Sequence, residues 1–498
     1  MAADIQAGLE LVLDPTTLLV VVLAGIFGLF IGALPGMTAT LAAALLIPFT
    51  FFLDPVPAIA SIITMSAMAI FAGDVPGALL RIPGTPSSAA YTEDAFRMTQ
   101  DGKGPVALGV SLVASVLGGL FGSVVLIFVA PVLGEFALRF TSYEYFWVAV
   151  LGLTAAVIIS RGSQIKGGIA LMLGLLISTI GLDVSIGYPR FTFGESELYR
   201  GVDFIPAMIG LFGVSEVLRN ATSPIHLGPV PKVSSRGSIR ESLRTVWRYK
   251  HRVGSGSVIG GAVGSLPGAG ADIAAWVSYA VTKNTSRNAH LFGRGKGHPE
   301  PIAGAAAANN AGLGSAFIPT LAFGIPGDTI TAILIGVLLV KGVTPGPQLF
   351  TMNTDMLYAI YIVFIVANLL LLPLGFLLIR ASSLVLQVPR ATLLAIIVAI
   401  SIVGSFAINN GYLEITIMLL MGVLGFLLER AKIPLAPVVL GIVLGPIVER
   451  NFIQSVIKTN WDLGQFFTRP ISAGLIVLTA ILLFAPPVIA TLKRRMRD

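Results

Sequence analysis

The chain has 498 residues, 55% of them hydrophobic and 11% charged, with a mean hydropathy of +0.89 and a formal net charge of +7. A soluble globular domain carries about 25% charged residues, so a water-soluble enzyme or binding module is excluded. The lack of cysteine removes disulfides, thiolate nucleophiles and Cys-ligated metals from consideration. Basic residues are confined to loops and ends, which marks them as topology signals, and no nucleic-acid partner is expected.

Runs such as 16–33 (TTLLVVVLAGIFGLFIGA), 356–380 and 470–490 are long enough to cross a bilayer as helices. The alternating pattern of a membrane β-barrel is absent, and backbone groups in lipid must be bonded internally. The expected fold is an all-α polytopic membrane protein of roughly 10–12 spans.

At the N-terminus Asp4, Glu10 and Asp14 precede the first span and no Lys or Arg occurs before Arg81. A basic leader region is therefore missing, and an outside N-terminus is expected. The first break in the apolar pattern is GALPGMTAT (32–40), and the second is VPGALLRIPG (75–84). Spans at 106–133, 144–160, 165–182 and 203–218 follow, with loop 91–104 inside, a basic inner turn at Arg161 and Lys166, and an outer loop at 183–203. Segment 219–252 is the one long polar stretch. There Arg236, Arg240, Arg244, Arg248 and Arg252 recur every fourth residue, beside Ile239, Leu243, Val246 and Trp247. That pattern reads either as an amphipathic helix on anionic lipid or as a solvated basic linker, and both place it in the cytoplasm. The domains expected are an N-terminal membrane repeat (1–218), the linker (219–252), and a C-terminal repeat plus terminal span (253–498).

In the second half GSLPGAGAD (264–272) matches the first break, and IPTLAFGIPG (318–327) matches the second. Pro76 aligns with Pro319, and Ile82-Pro83-Gly84 with Ile325-Pro326-Gly327. Spans at 356–380, 391–408, 413–428, 434–448 and 470–490 complete the chain. Loop 342–355 is assigned outside, and the turn at Arg430 and Lys432, the loop 380–390 and the C-terminal KRRMR inside. The spans that follow the two IPG breaks then run in opposite senses. Paired breaks in inverted repeats mark the midplane site of a secondary transporter. Proline removes an N–H and glycine allows close backbone approach. A helix restarted at such a break aims its positive end at an anion.

Candidate substrate-binding residues at the breaks are Pro35, Gly36, Thr38, Arg81, Pro83, Gly84, Thr85, Ser87, Ser88, Gly268, Gly270, Pro326, Gly327 and Thr329. Asn309 and Asn310 join them, because adjacent amides in a small-residue helix are too polar for idle packing. Thr40, Asp74, Asp272 and Asp328 are candidates for coupling a Na+ or H+, with sodium at the Pro-Gly breaks as the only metal envisaged. Arg81 would clamp a carboxylate or pair with Asp74, and Asp328 and Asp272 would cap helices or hold a cation. His226, His251, His290 and His298 lie in polar loops and read as solvated. A channel and an intramembrane aspartyl protease using Asp74 and Asp328 are the alternatives, but no ring-type filter or protease spelling supports either.

The motifs GALPGMTATLAAALLIPFTF, RIPGTPSSAAYTEDAFRM, GKGPVALG, PRFTFG, GSLPGAGADIAAWVSYAVTK, AAANNAG and FGIPGDTITAILIGVLLVKGVTPGP together resemble the large membrane subunit of the tripartite tricarboxylate transporters, the TctA family. The resemblance implies an inner-membrane permease, not an enzyme. It would import tri-, di- or aromatic carboxylates on a Na+ or H+ gradient, without a further cofactor. It also implies a small TctB-like membrane subunit and a periplasmic TctC-like binding protein as partners; a second copy of the chain is a further expected partner. Asp74, Arg81, Ala306, Asp272 and Asp328 depart from the family pattern.

Overall fold

Residues 2–159, 163–183, 186–222, 238–268, 270–293 and 297–495 are described in a computed structural model, and their ordered backbone is almost all helical. Helix α1 (Ala2–Leu13) ends at Asp14, whose Oδ2 accepts the N–H groups of Thr16 and Thr17 at 2.9 and 3.1 Å. That cap and Pro15 start α2 (Pro15–Gly32). The chain then turns through Leu34-Pro35-Gly36, with Gly36 at φ 87°, and Thr38 caps α3 (Ala39–Thr50) by accepting the Leu41 N–H at 3.2 Å. Helices α4 (Pro55–Ala72) and α5 (Asp74–Leu80) run on as one apolar stretch to the first IPG. A short 3-10 turn at Ser88–Ala90, the polar α6 (Thr92–Gln100) and the long α7 (Gly104–Ala137) follow.

Helices α8 (Ser142–Ile159) and α9 (Gln164–Ser178) lead to a two-strand hairpin, β1 (Gly181–Leu182) with β2 (Pro189–Arg190). Next come α10 (Phe204–Met208), a π-helical segment at Ile209–Val214 and α11 (Ser215–Thr222). Helix α12 (Ser238–Arg248) precedes α13 (Lys250–Gly264), so both neighbouring helices reach into the stretch expected as linker. Arg236 and His226 lie outside the described residues. Beyond the second LPG come α14 (Gly270–Thr285), α15 (Pro299–Phe323), α16 (Thr329–Val340), α17 (Leu349–Met352) and α18 (Thr354–Val385). The chain finishes with α19 (Arg390–Asn409), α20 (Tyr412–Arg430), α21 (Leu435–Lys458), α22 (Gln465–Thr468) and α23 (Pro470–Arg495). Among the described residues seven helices are long and apolar enough to cross a membrane, and shorter apolar helices include α3 and α16 beside the breaks. The chain is a multi-pass, all-α membrane protein.

The contacts of the first half recur in the second. Arg81 and Gly324 both end their helices in the left-handed region, at φ 59° and 70°. Ile82 N–H bonds Pro76 O and Ile325 N–H bonds Pro319 O, each at 3.3 Å. After each IPG a reciprocal cap forms: Thr85 and Ser88 exchange bonds of 3.1 and 3.2 Å, and Asp328 and Thr331 exchange two of 2.8 Å. Gly28 and Gly32 seat α2 on the backbone of Met65 and Ala69 in α4, and Gly260 and Gly264 seat α13 on Ala308 and Gly312 in α15. A Cβ at any of these four glycines would strike main chain. Thus α2 runs parallel to α4, and α13 to α15, with α3 and α14 as returning legs.

The halves also interlock. Helix α7 lies along α15, with Gly118 against Ala307 and Gly122 against Ala311, while Gly375 of α18 lies against Phe71 of α4. Helices α7 and α18 are antiparallel, since Leu112 and Gly119 face Gly375 and Asn368, and Gly134 faces Phe350.

Loop contacts gather segments distant in sequence at each end of the helices. Asp4 accepts from Thr354 at 3.4 Å, Arg190 forks onto Glu449 at 2.7 and 3.1 Å, and Lys458 reaches Ser142 at 3.2 Å. At the other end Gly293 N–H and Tyr279 hold Asp94 at 3.0 Å each, Arg252 holds Glu300 at 2.8 Å, and Lys166 reaches Ala431 O at 2.6 Å.

Candidate functional site

The four Pro-Gly breaks surround a cavity of about 850 Å³. Thr38 and Thr40 reach it from the first LPG, and Thr85 and Pro86 from the first IPG. Gly268, Gly270 and Asp272 come from the second LPG, and Asp328 and Thr329 from the second IPG. Three helix N-termini, those of α3, α14 and α16, open there and bring positive dipole ends to one space.

The tips cross between halves. Thr40 and Thr329 share a hydroxyl hydrogen bond of 2.9 Å, and Ser87 N–H donates to Asp272 Oδ1 at 3.0 Å. Gly270, at φ 61°, sits so close to Asp328 that a Cβ there would come within 2.7 Å of the Asp328 Cβ. Trp276 Nε1 donates to Pro86 O at 2.9 Å. Each LPG helix is therefore locked to the IPG loop of the other half.

Several expected site residues stand one layer behind the wall. Asn309 Nδ2 donates to Ser87 Oγ at 2.9 Å, and Ser87 shares a 3.0 Å bond with Thr85. Asn309 Oδ1 and both polar atoms of Asn310 are buried without a hydrogen-bond partner. Pro35, Pro83, Gly84, Pro326 and Gly327 shape the turns and are not cavity lining; Gly84 N–H bonds Gly73 O at 3.0 Å and Gly327 N–H bonds Thr320 Oγ1 at 3.3 Å. Ser88 is committed to its cap. Asp74 is 4% exposed and accepts from Tyr91 OH at 2.7 Å and from Ser111 Oγ. Asp328 does cap α16, and it also borders the cavity.

Two expectations need correction. Arg81 neither pairs with Asp74 nor reaches the cavity, because its left-handed helix end turns the side chain outward onto Glu93, 2.8 Å away, near the Phe96 ring. His298 is not simply solvated: its Nδ1 accepts the Glu300 N–H at 3.3 Å and caps α15, packed beside Tyr249 and Phe292. His251 and His290 are exposed. Among the described residues no group of three or more His, Asp or Glu is placed to hold a metal ion.

Sequence reasoning missed one wall. Phe212 of the π-helical segment, Glu216 and Arg219 of α11, Phe426, Glu429 and Arg430 of α20, and Lys432 beyond it also line the cavity. Arg219 Nη2 donates to Gly36 O at 3.1 Å and pairs with Glu216; its Nη1 lies 3.6 Å from Glu429. Glu216 falls inside the apolar run 203–218, and a carboxylate within a span is a signal in itself.

Interrupted helices delivering polar tips to an interior cavity define the class: a membrane permease built around a solute-sized space. Within that class the chain belongs to the tripartite tricarboxylate transporter TctA family, whose model matches residues 18–440. Members are the large membrane subunit of a system that also contains TctB and TctC subunits, and are transport components, not enzymes. The chain is 33% identical over 480 residues, 96% of its length and 94% of the relative's, to the uncharacterized 52.8 kDa protein of the TAR-I ttuC′ 3′ region of Agrobacterium vitis. It is 36% identical over 219 residues, 44% of this chain and 90% of the relative, to a protein of the TAR-II ttuC′ 3′ region of the same organism. No solved structure matches.

Proposed function

We propose that the chain imports carboxylates across a bacterial inner membrane by alternating access around this cavity, driven by a Na+ or H+ gradient and fed by a periplasmic binding protein. The observation that carries the reading is the convergence of residues from all four breaks on one space that three helix N-termini line. Thr38, Thr85, Thr329 and the backbone of Gly268 and Gly270 would contact the anion, with Ser87 and Asn309 holding the tips in register. Asp272, Asp328 and Thr40, with Asp74 behind them, would carry the coupling cation.

The halves are read as opposed in the membrane. Support comes from the matching contacts at each break, the crossed pairing of tips, and the antiparallel packing of α7 against α18. The exposed lining residues Thr222, Arg430 and Lys432 mark the open end of the cavity. By the excess of Lys and Arg that end is cytoplasmic, so this state is open to the inside. On the same face α12 packs Ser242 and Val246 inward and exposes Arg240, Arg244, Arg248, Leu243 and Trp247, with Lys250 4.6 Å over the Trp247 ring. That pattern suits an anionic leaflet.

The test is reconstitution with both partner subunits in proteoliposomes under an imposed Na+ or pH gradient. Saturable carboxylate accumulation above equilibrium is expected. Dissipation without accumulation would make the chain a channel and end the proposal.

A further inference from the structure

The cavity is polarised. Asp272 and Asp328 border it at the helix tips, whereas Arg219, Arg430 and Lys432 border it together with Glu216 and Glu429 on the wall made by α11, α20 and the turn after α20. Three cations against two carboxylates leave that wall net positive. Arg430 and Lys432 are exposed, whereas Arg219 is half-buried and is the cation of the three that bonds a break, at Gly36 O. Its guanidinium touches three separate segments: Glu216 one turn earlier on α11, Gly36 O at the first LPG at 3.1 Å, and Glu429 of α20 at 3.6 Å.

The contact with Glu429 is incomplete. Glu429 Oε2 is buried yet accepts no hydrogen bond, and at 3.6 Å it is within ion-pair range only. Glu216, by contrast, is held from both sides, since Asn220 Nδ2 donates to its Oε1 at 2.5 Å. A planar guanidinium favours two parallel bonds to one carboxylate. Glu429 does not supply them here, and an incoming carboxylate in the cavity would.

We infer that Arg219 is the residue that recognises the substrate carboxylate, and that Glu429 is the internal competitor it displaces. The inference rests on the carboxylate-import reading and names the specificity-determining cation of the same cavity. Exchange of Glu429 for substrate removes one electrostatic contact between α11 and α20, which stay packed through Gly425 against Ser215, while Arg219 stays beside the first LPG. Discharge restores the Arg219–Glu429 pair and helps expel the product.

Competition predicts opposite signs for the two partners, which a purely structural ion pair does not. The purified full chain is titrated calorimetrically with whichever of citrate, succinate or benzoate gives the largest thermal stabilisation of the wild type. Arg219→Gln is expected to weaken that binding about 10-fold or more, the scale of a lost charge-assisted contact, with Arg219→Lys intermediate. Glu429→Gln is expected to tighten it about 3- to 10-fold by removing the competitor. Wild-type affinity in Arg219→Gln, or weakening in Glu429→Gln, overturns the inference. If Arg219→Gln does not fold, the sign of the Glu429→Gln effect decides alone. If the wild type binds none of the three at millimolar concentration, it is the import reading that falls, an outcome distinct from binding that ignores Arg219.

Discussion

Replacing Gly84 by alanine places a methyl carbon 2.7 Å from Gly73 Cα, 2.8 Å from Gly73 O and 3.1 Å from Gly32 O. All three are main-chain atoms, so no side chain can swing aside. Normal carbon contacts are about 3.5–4.0 Å, and the loop has to retreat by about 1 Å. That retreat breaks the Gly84 N–H bond to Gly73 O, now 3.0 Å. Overpacking of this kind costs about 1–3 kcal/mol and the lost bond about 1 more. The residue after Gly84 is Thr85, at the cavity wall, so the displacement goes directly into the site. Uptake in proteoliposomes is expected to fall about 10-fold or more, the order of effect of a 1 Å misplacement at a working site, while membrane insertion persists. Gly254→Ala is the control, since a Cβ there meets nothing within 4 Å. Wild-type uptake by Gly84→Ala would refute the idea that the IPG loop positions the site.

Asp328→Asn keeps a residue able to cap α16 but removes the charge; the Na+ or pH dependence of uptake should shift, and an unchanged dependence reduces Asp328 to a cap. Arg252→Ala takes the cation from Glu300, whose side chain is 4% exposed, at a cost of about 3 kcal/mol; the melting temperature should drop by several degrees and partly recover in Arg252→Ala/Glu300→Gln, and no drop would show that Ser286 and Asn288, which donate to Glu300 Oε2 at 2.8 and 3.4 Å, suffice. Deleting the gene for the periplasmic binding protein should stop uptake at low substrate, and persistent high-affinity uptake would identify a solitary carrier.

The membrane class and the longest spans were legible because bilayer thickness imposes a length that composition alone reveals, whereas the run expected as one span at 203–218 divides into α10, a π-helical segment and α11. The breaks were legible because Pro and Gly carry positional meaning in any helix, and the pairing of Leu-Pro-Gly with Ile-Pro-Gly in each half exposed the internal repeat. What failed was side-chain direction. Arg81 stands two residues from Pro83, yet its left-handed backbone aims it at Glu93. Sequence proximity to a break says nothing of which way a helix end turns. Arg219 and Glu429 were invisible for the converse reason: each sits at the end of a helix remote in sequence from the breaks, and only packing of α11 against α20 brings them to the cavity.

Because Thr40 finds Thr329 and Ser87 finds Asp272, each half of the polypeptide caps its own helix ends but leaves one tip contact for the other half to complete. During synthesis the ribosome delivers Thr40 and Ser87 long before their partners emerge. The early half therefore waits in the insertion machinery or in lipid without its cross-half contacts. Closure of the central chamber is then a late event in biogenesis, and truncation upstream of residue 328 removes the Asp328–Thr329 wall of the chamber.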